Sequence, residues 1–152
     1  MLETPARIEP ALLETIPIPI ADLVAEISAS ASLLGAALHP RTAQSLADVV
    51  RLMNTYYSNL IEGHNTRPKD IERALRNDFS DDLRQRNLQL EARAHHAVQA
   101  RVDRLAHEGR LPEPASASFL TWLHQEFYKS TPEVFRALGE GQNRIAFAPG
   151  ER

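Results

Sequence analysis

The 152-residue chain contains no cysteine. That excludes disulfide staples, thiolate metal sites and a cysteine nucleophile, and it suits a reducing compartment. Glycine is sparse, with six residues. The one close pair, Gly139 and Gly141, lacks the Lys-Ser/Thr of a phosphate-cradling loop. No G-x-S-x-G elbow and no HExxH motif occurs. There is no basic excess either: 17 basic side chains face 20 acidic ones, for a net charge of −3. That balance gives no support for nucleic-acid binding. Met1-Leu2-Glu3-Thr4-Pro5 lacks the basic and apolar parts of a secretory signal. Asp22 and Glu26 interrupt the most apolar stretch, so no membrane span is expected, and the cytoplasm is the expected location.

What is present is ordinary for one globular domain: 43% hydrophobic and 24% charged residues. Residues 1–19 read as an extended lead-in, because Pro17 and Pro19 disfavour helical geometry in the residues before them. Residues 20–138 read as a helical domain. Ile20, Leu23, Val24, Ile27, Ala31, Leu34 and Leu38 keep a 3.6-residue period and predict a first helix over 20–38. A second is expected over 42–62, with an apolar stripe of Leu46, Val49, Val50, Met53, Tyr57, Leu60 and Ile61. A short third helix follows to about residue 77, with Thr66 as its cap and Pro68 in its first turn. Ser80 or Asp81 caps the fourth, over 82–107, whose stripe is Leu83, Leu90, Ala94, Ala97, Val98, Val102 and Leu105. The fifth spans 116–129 and buries Phe119, Leu120, Leu123 and Phe127. Thr131-Pro132-Glu133 predicts a short sixth helix to about residue 138. The expected fold class is therefore all-α, about six helices, with a weakly β end over 139–152.

The stretch Tyr56-Tyr57-Ser58-Asn59-Leu60-Ile61-Glu62-Gly63-His64-Asn65-Thr66-Arg67-Pro68 joins the second and third helices. Gly63 is placed to accept the left-handed conformation that ends a helix. Glu62 is the odd residue, a carboxylate at the negative end of the helix dipole, which costs roughly 0.3–1 kcal/mol. Ser58 lies four residues earlier, on the same face. The disadvantage at Glu62 implies a positive group elsewhere that meets it.

Ser58-Asn59-Leu60-Ile61-Glu62-Gly63 resembles the inhibitory [S/T]-x-x-x-E-[G/N] motif of the Fic (Fido) domain family, and the text on to Ile71-Glu72-Arg73-Ala74-Leu75 is similar as well. The resemblance implies AMP transfer from ATP to protein hydroxyls, with ATP and Mg²⁺ as cofactors, a hydroxyl-bearing protein as partner and a possible homo-oligomer. It implies that Ser58, Glu62 and Gly63 form an inhibitory group in which Glu62 blocks productive ATP placement. Residues 82–107, Leu123-His124 and Phe135-Arg136 resemble the family's core before its β-hairpin flap, and residues 143–152 resemble the first part of that flap. The catalytic H-P-F-x-D-G-N-G-R motif is absent: His39-Pro40-Arg41-Thr42 shares only its first two residues. No catalytic residue is therefore assigned, and the chain alone is expected to be inactive. The strand-like residues 143–148 have no evident partner, and Pro149-Gly150 signals a turn. Both read as a chain that stops inside an element, as a fragment or a truncated product would.

Plainer readings stand beside these. On pattern alone Glu62 is a solvent-facing acid before a glycine cap. His64 and Asn65 read as loop residues, and Arg67 as exposed. Glu91 and His95 have the i, i+4 spacing of a metal pair, but adjacent His95 and His96 point about 100° apart and no third ligand follows. His124 reads as a packing residue, and Trp122 and Phe127 as core or rim. The rival function is a non-enzymatic helical interaction module, or an inhibitor acting in trans on a separate catalytic chain.

Overall fold

A computed structural model describes residues 15–138 and 145–149. Most of the lead-in and of the 139–152 end, with the Gly139 and Gly141 pair, lies outside them. The described part is all-α, with five α-helices. They are α1 (Ile18–Ala37), α2 (Pro40–Ile61), α3 (Pro68–Leu75), α4 (Leu83–His107) and α5 (Ala117–Lys129). The expected sixth helix is a single 3₁₀ turn, Glu133–Phe135. The chain divides into two compact units, Met1–Val49 and Val50–Arg152.

In the first unit α1 starts two residues before its expected position. Pro17 takes the N-cap place and Pro19 lies in the first turn, where a missing N–H costs little. The hydroxyls of Ser28 and Ser32 donate back to the carbonyls of Val24 and Ser28, each at 2.8 Å. The expectation of a buried stripe is overturned: no residue of α1 is buried, and Ile18, Leu33 and Ile27 are among its most exposed. By length and composition α1 is also apolar enough to cross a membrane.

The second unit is built on α3, α4 and α5. Its buried apolar residues are Ile71 and Ala74 from α3, Ala92, Ala94 and Val98 from α4, and Phe119 from α5. Three helix ends share one device. Gly63, Asn77 and Gly109 adopt φ of 76°, 61° and 65°. Behind them the His64, Asp78 and Arg110 N–H groups reach back five residues, to the Asn59, Arg73 and Leu105 carbonyls. This is the Schellman closure. Caps at the other ends are local. The Asp82 carboxylate accepts from Gln85 N–H at 2.8 Å, and the Ser116 hydroxyl accepts from Phe119 N–H at 3.1 Å. Thr66 is not the cap of α3. Arg67 holds that place with no side-chain bond, while Thr66 is buried.

α2 reverses its expected orientation. In this unit Val50, Tyr57, Leu60 and Ile61 are exposed, Ile61 to 83%, while Arg51, Thr55 and Asn59 are buried. Leu46 and Val49, in the first unit, are exposed too. The reason is the partner surface on α4, which is polar. Arg51 donates to Asp103 at 2.6 Å, and Gln99 donates to the Thr55 hydroxyl at 3.2 Å. Positions 51 and 55 thus meet 103 and 99, an antiparallel seam stepping by one turn on each helix.

The strand-like end finds a partner. Ala137–Leu138 (β1) pairs antiparallel with Ile145–Ala146 (β2), with Ala137 opposite Ala146. Phe147 N–H continues the ladder to the Arg136 carbonyl at 3.0 Å. The Phe147 ring packs against His124 and Tyr128 of α5, with centroids 5.5 and 4.9 Å away.

Candidate functional site

The break between α2 and α3 is where the sequence places its candidate residues. Ser58 is half-buried in the last turn of α2, Glu62 is its first residue past the helix, and Gly63 follows with positive φ. The link between Ser58 and Glu62 is a backbone one: Glu62 N–H donates to the Ser58 carbonyl at 3.1 Å. The Glu62 side chain is exposed and joins no ion pair among the described residues.

His64 is more than a loop residue. Its Nδ1 lies 2.8 Å from Glu91 Oε2 on α4, with the two side chains 29% and 11% exposed. Neither atom makes a hydrogen bond among the described residues, so the contact is one of ion-pair distance and not an aligned hydrogen bond. Phe135 packs on the imidazole at 5.6 Å. Burial raises the Glu91 carboxyl above the usual range; His64 opposes this, and the negative charge of Glu62 adds to it.

A cleft of about 840 Å³ opens beside the break, lined by Gly63, His64 and Asn65, by the first turns of α4, and by Val134 and Phe135. No periodicity marks it, because its walls come from three separate segments. Gln89 was also missed. It is fully buried; its Oε1 accepts from Ser80 N–H at 2.7 Å and its amide donates to the Asp70 carbonyl at 3.2 Å. A glutamine inside a helical stripe reads as surface, and only the folded turn shows the carbonyl and N–H it satisfies.

The remaining candidates separate. Glu91 faces His64, while His95 faces the edge of Phe127 at 6.1 Å. Burial, and then the neighbouring His96, lower the His95 imidazole below its ordinary value. No group of three metal-ligating side chains converges among the described residues. Arg67 is exposed, and Trp122 packs on Phe119 with the Arg101 guanidinium over its ring. Arg101 also pairs with Glu126. His124 sits among Tyr128 and Phe147. The acidic end of α2 is no fit for a triphosphate, and no nucleotide step is assigned to these residues.

Comparison with protein-family models, with curated proteins and with solved structures found no match to this chain.

Proposed function

We propose that this chain is the autoinhibitory N-terminal part of a Fic-type protein adenylyltransferase, in which Glu62 blocks productive ATP binding. The observation that carries the reading is the setting of Glu62. Its exposed carboxylate stands at the negative end of a helix, within the field of a second carboxylate, and in no ion pair among the described residues. Such a site favours a cation brought from elsewhere. A guanidinium suits it, since arginine grips a carboxylate through parallel hydrogen bonds. An arginine held in this way is lost to the γ-phosphate of ATP. In the complete enzyme ATP and Mg²⁺ are the cofactors and a protein hydroxyl is the acceptor. Ser58 steadies the last turn that presents Glu62, and Gly63 turns the chain away.

The catalytic histidine and its arginine are not among the 152 residues. The chain on its own is therefore expected to leave no label on protein when incubated with α-labelled ATP, Mg²⁺ and a protein mixture. Labelling that follows this chain through purification contradicts the proposal.

One observation favours the rival reading, a helical module acting in trans: the exposed face of α2, with Tyr57, Leu60 and Ile61. The DNA beyond the codon for Arg152 separates the two. An in-frame H-P-F-x-D-G-N-G-R supports the proposal. A stop codon, with the motif on a separate chain, supports the module.

A further inference from the structure

The contact between α2 and α4 carries polar pairs one turn apart, Arg51 with Asp103 and Thr55 with Gln99. Polar contacts exchange protein partners for water at small net gain, so such a seam can part more readily than an apolar one. The His64–Glu91 contact continues it onto the break, where backbone geometry changes. We propose that His64 and Glu91 form a latch that fastens the α2–α3 break, and Glu62 with it, against α4. That the latch regulates activity rests on the inhibitory reading of Glu62; that it closes the break does not.

Three features support a latch rather than a chance surface pair. The two atoms stand 2.8 Å apart, at ion-pair distance, and neither has a hydrogen-bond partner among the described residues, so opening leaves a largely buried carboxylate without its one close polar neighbour. Phe135 covers the imidazole from the 3₁₀ turn, which ties the break to a third segment. The latch also acts against a local repulsion, since the charges of Glu62 and Glu91 oppose one another. The backbone of the break turns with it: His64 N–H donates to the Asn59 carbonyl at 2.7 Å, and Thr66 N–H to the His64 carbonyl at 3.0 Å. These amides report opening directly.

Amide hydrogen exchange of the whole chain tests the latch without any nucleotide, so its outcome is independent of AMP transfer. His64→Phe keeps a ring against Phe135 and removes the nitrogen. Exchange at the 64 and 66 amides should rise about tenfold or more, as expected for leaving a largely buried charged group unpaired. Adding Glu91→Gln removes the stranded charge and should bring exchange back toward wild type. The Phe119 amide, capped by Ser116, serves as control and should not change. Unchanged exchange in His64→Phe, or effects of the two substitutions that simply add, overturns the latch. Should His64→Phe fail to fold, as circular dichroism would show, Glu91→Gln and Glu91→Ala decide. Gln still fills the place beside the imidazole with a polar group and should stay near wild-type exchange, while Ala should exchange faster; equal exchange in the two overturns the proposal.

Discussion

Gln89 shows what a single buried side chain does here. It closes the turn between α3 and α4 by meeting Ser80 N–H and the Asp70 carbonyl, with no water exposure. Gln89→Leu keeps the volume and strands both groups. It should cost about 1–3 kcal/mol, read from urea unfolding. Two other residues give opposite pH dependences. Burial lowers His95, so the unfolded chain binds its proton more readily. Its contribution is complete above the ordinary histidine value, about 6.5, and is lost as pH falls through the lowered folded value. Glu91 is raised, mainly by burial. Its contribution is complete below the ordinary glutamate value, about 4.3, and is lost as pH rises through the raised folded value. Melting temperatures between pH 4 and 8 should therefore lose their acid-side fall in His95→Phe, and their alkaline-side fall in Glu91→Gln. Identical profiles in wild type and variants would contradict the burial of these groups.

At the scale of elements, helix stops were readable, starts less so, and faces only in part. Ala94, Val98 and Phe119 are buried as expected, whereas Leu83 and Leu120 are exposed, and the caps of α3 and α4 are Arg67 and Asp82. Residues 82–107 were expected as a helix, and α4 runs Leu83–His107. Gly63 was expected to end α2, and it does so with φ of 76°. These signals are local: a cap or a left-handed glycine acts within one turn. The orientation of α2 is not local. Its apolar stripe reads as a core face, yet Arg51 and Thr55 are the buried positions because Asp103 and Gln99 lie opposite. Those partners are some fifty residues away, and a single periodic pattern carries no information about them. Likewise Phe147 could not be matched from sequence with His124 and Tyr128, which hold the end of the hairpin to α5. Of the candidate site, Ser58, Glu62 and Gly63 were legible as a motif, whereas the His64–Glu91 contact across two elements was not. The small core of the second unit gives a test of the packing. Ile71 is fully buried between α3 and α4, so Ile71→Ala should cost about 2–5 kcal/mol and lower the melting temperature.

For the whole molecule, the balance is between much helix and little buried apolar surface. Far-ultraviolet circular dichroism should be dominated by helix, as 71% of the described residues are helical. A strand-dominated spectrum would contradict the architecture. The exposed apolar faces of α1 and α2 should bind a hydrophobic dye and promote association with rising concentration. A chain that stays monomeric at high concentration and leaves the dye dark would show those faces to be covered. The central claim concerns Glu62, and one measurement reaches it most directly: AMP transfer from α-labelled ATP by a protein joining this chain to an H-P-F-x-D-G-N-G-R segment. Wild type, Ser58→Ala, Glu62→Gly and Glu108→Ala are compared at equal folded concentration. Glu62→Gly should transfer most, at least tenfold over wild type on losing a charge-assisted pair worth roughly 1.5–3 kcal/mol. Ser58→Ala keeps the backbone carbonyl that meets Glu62 N–H and should stay near wild type, as should Glu108→Ala. A Glu62→Gly rate equal to wild type, with ATP still bound, would contradict the account and leave Glu62 as the last acid of a helix.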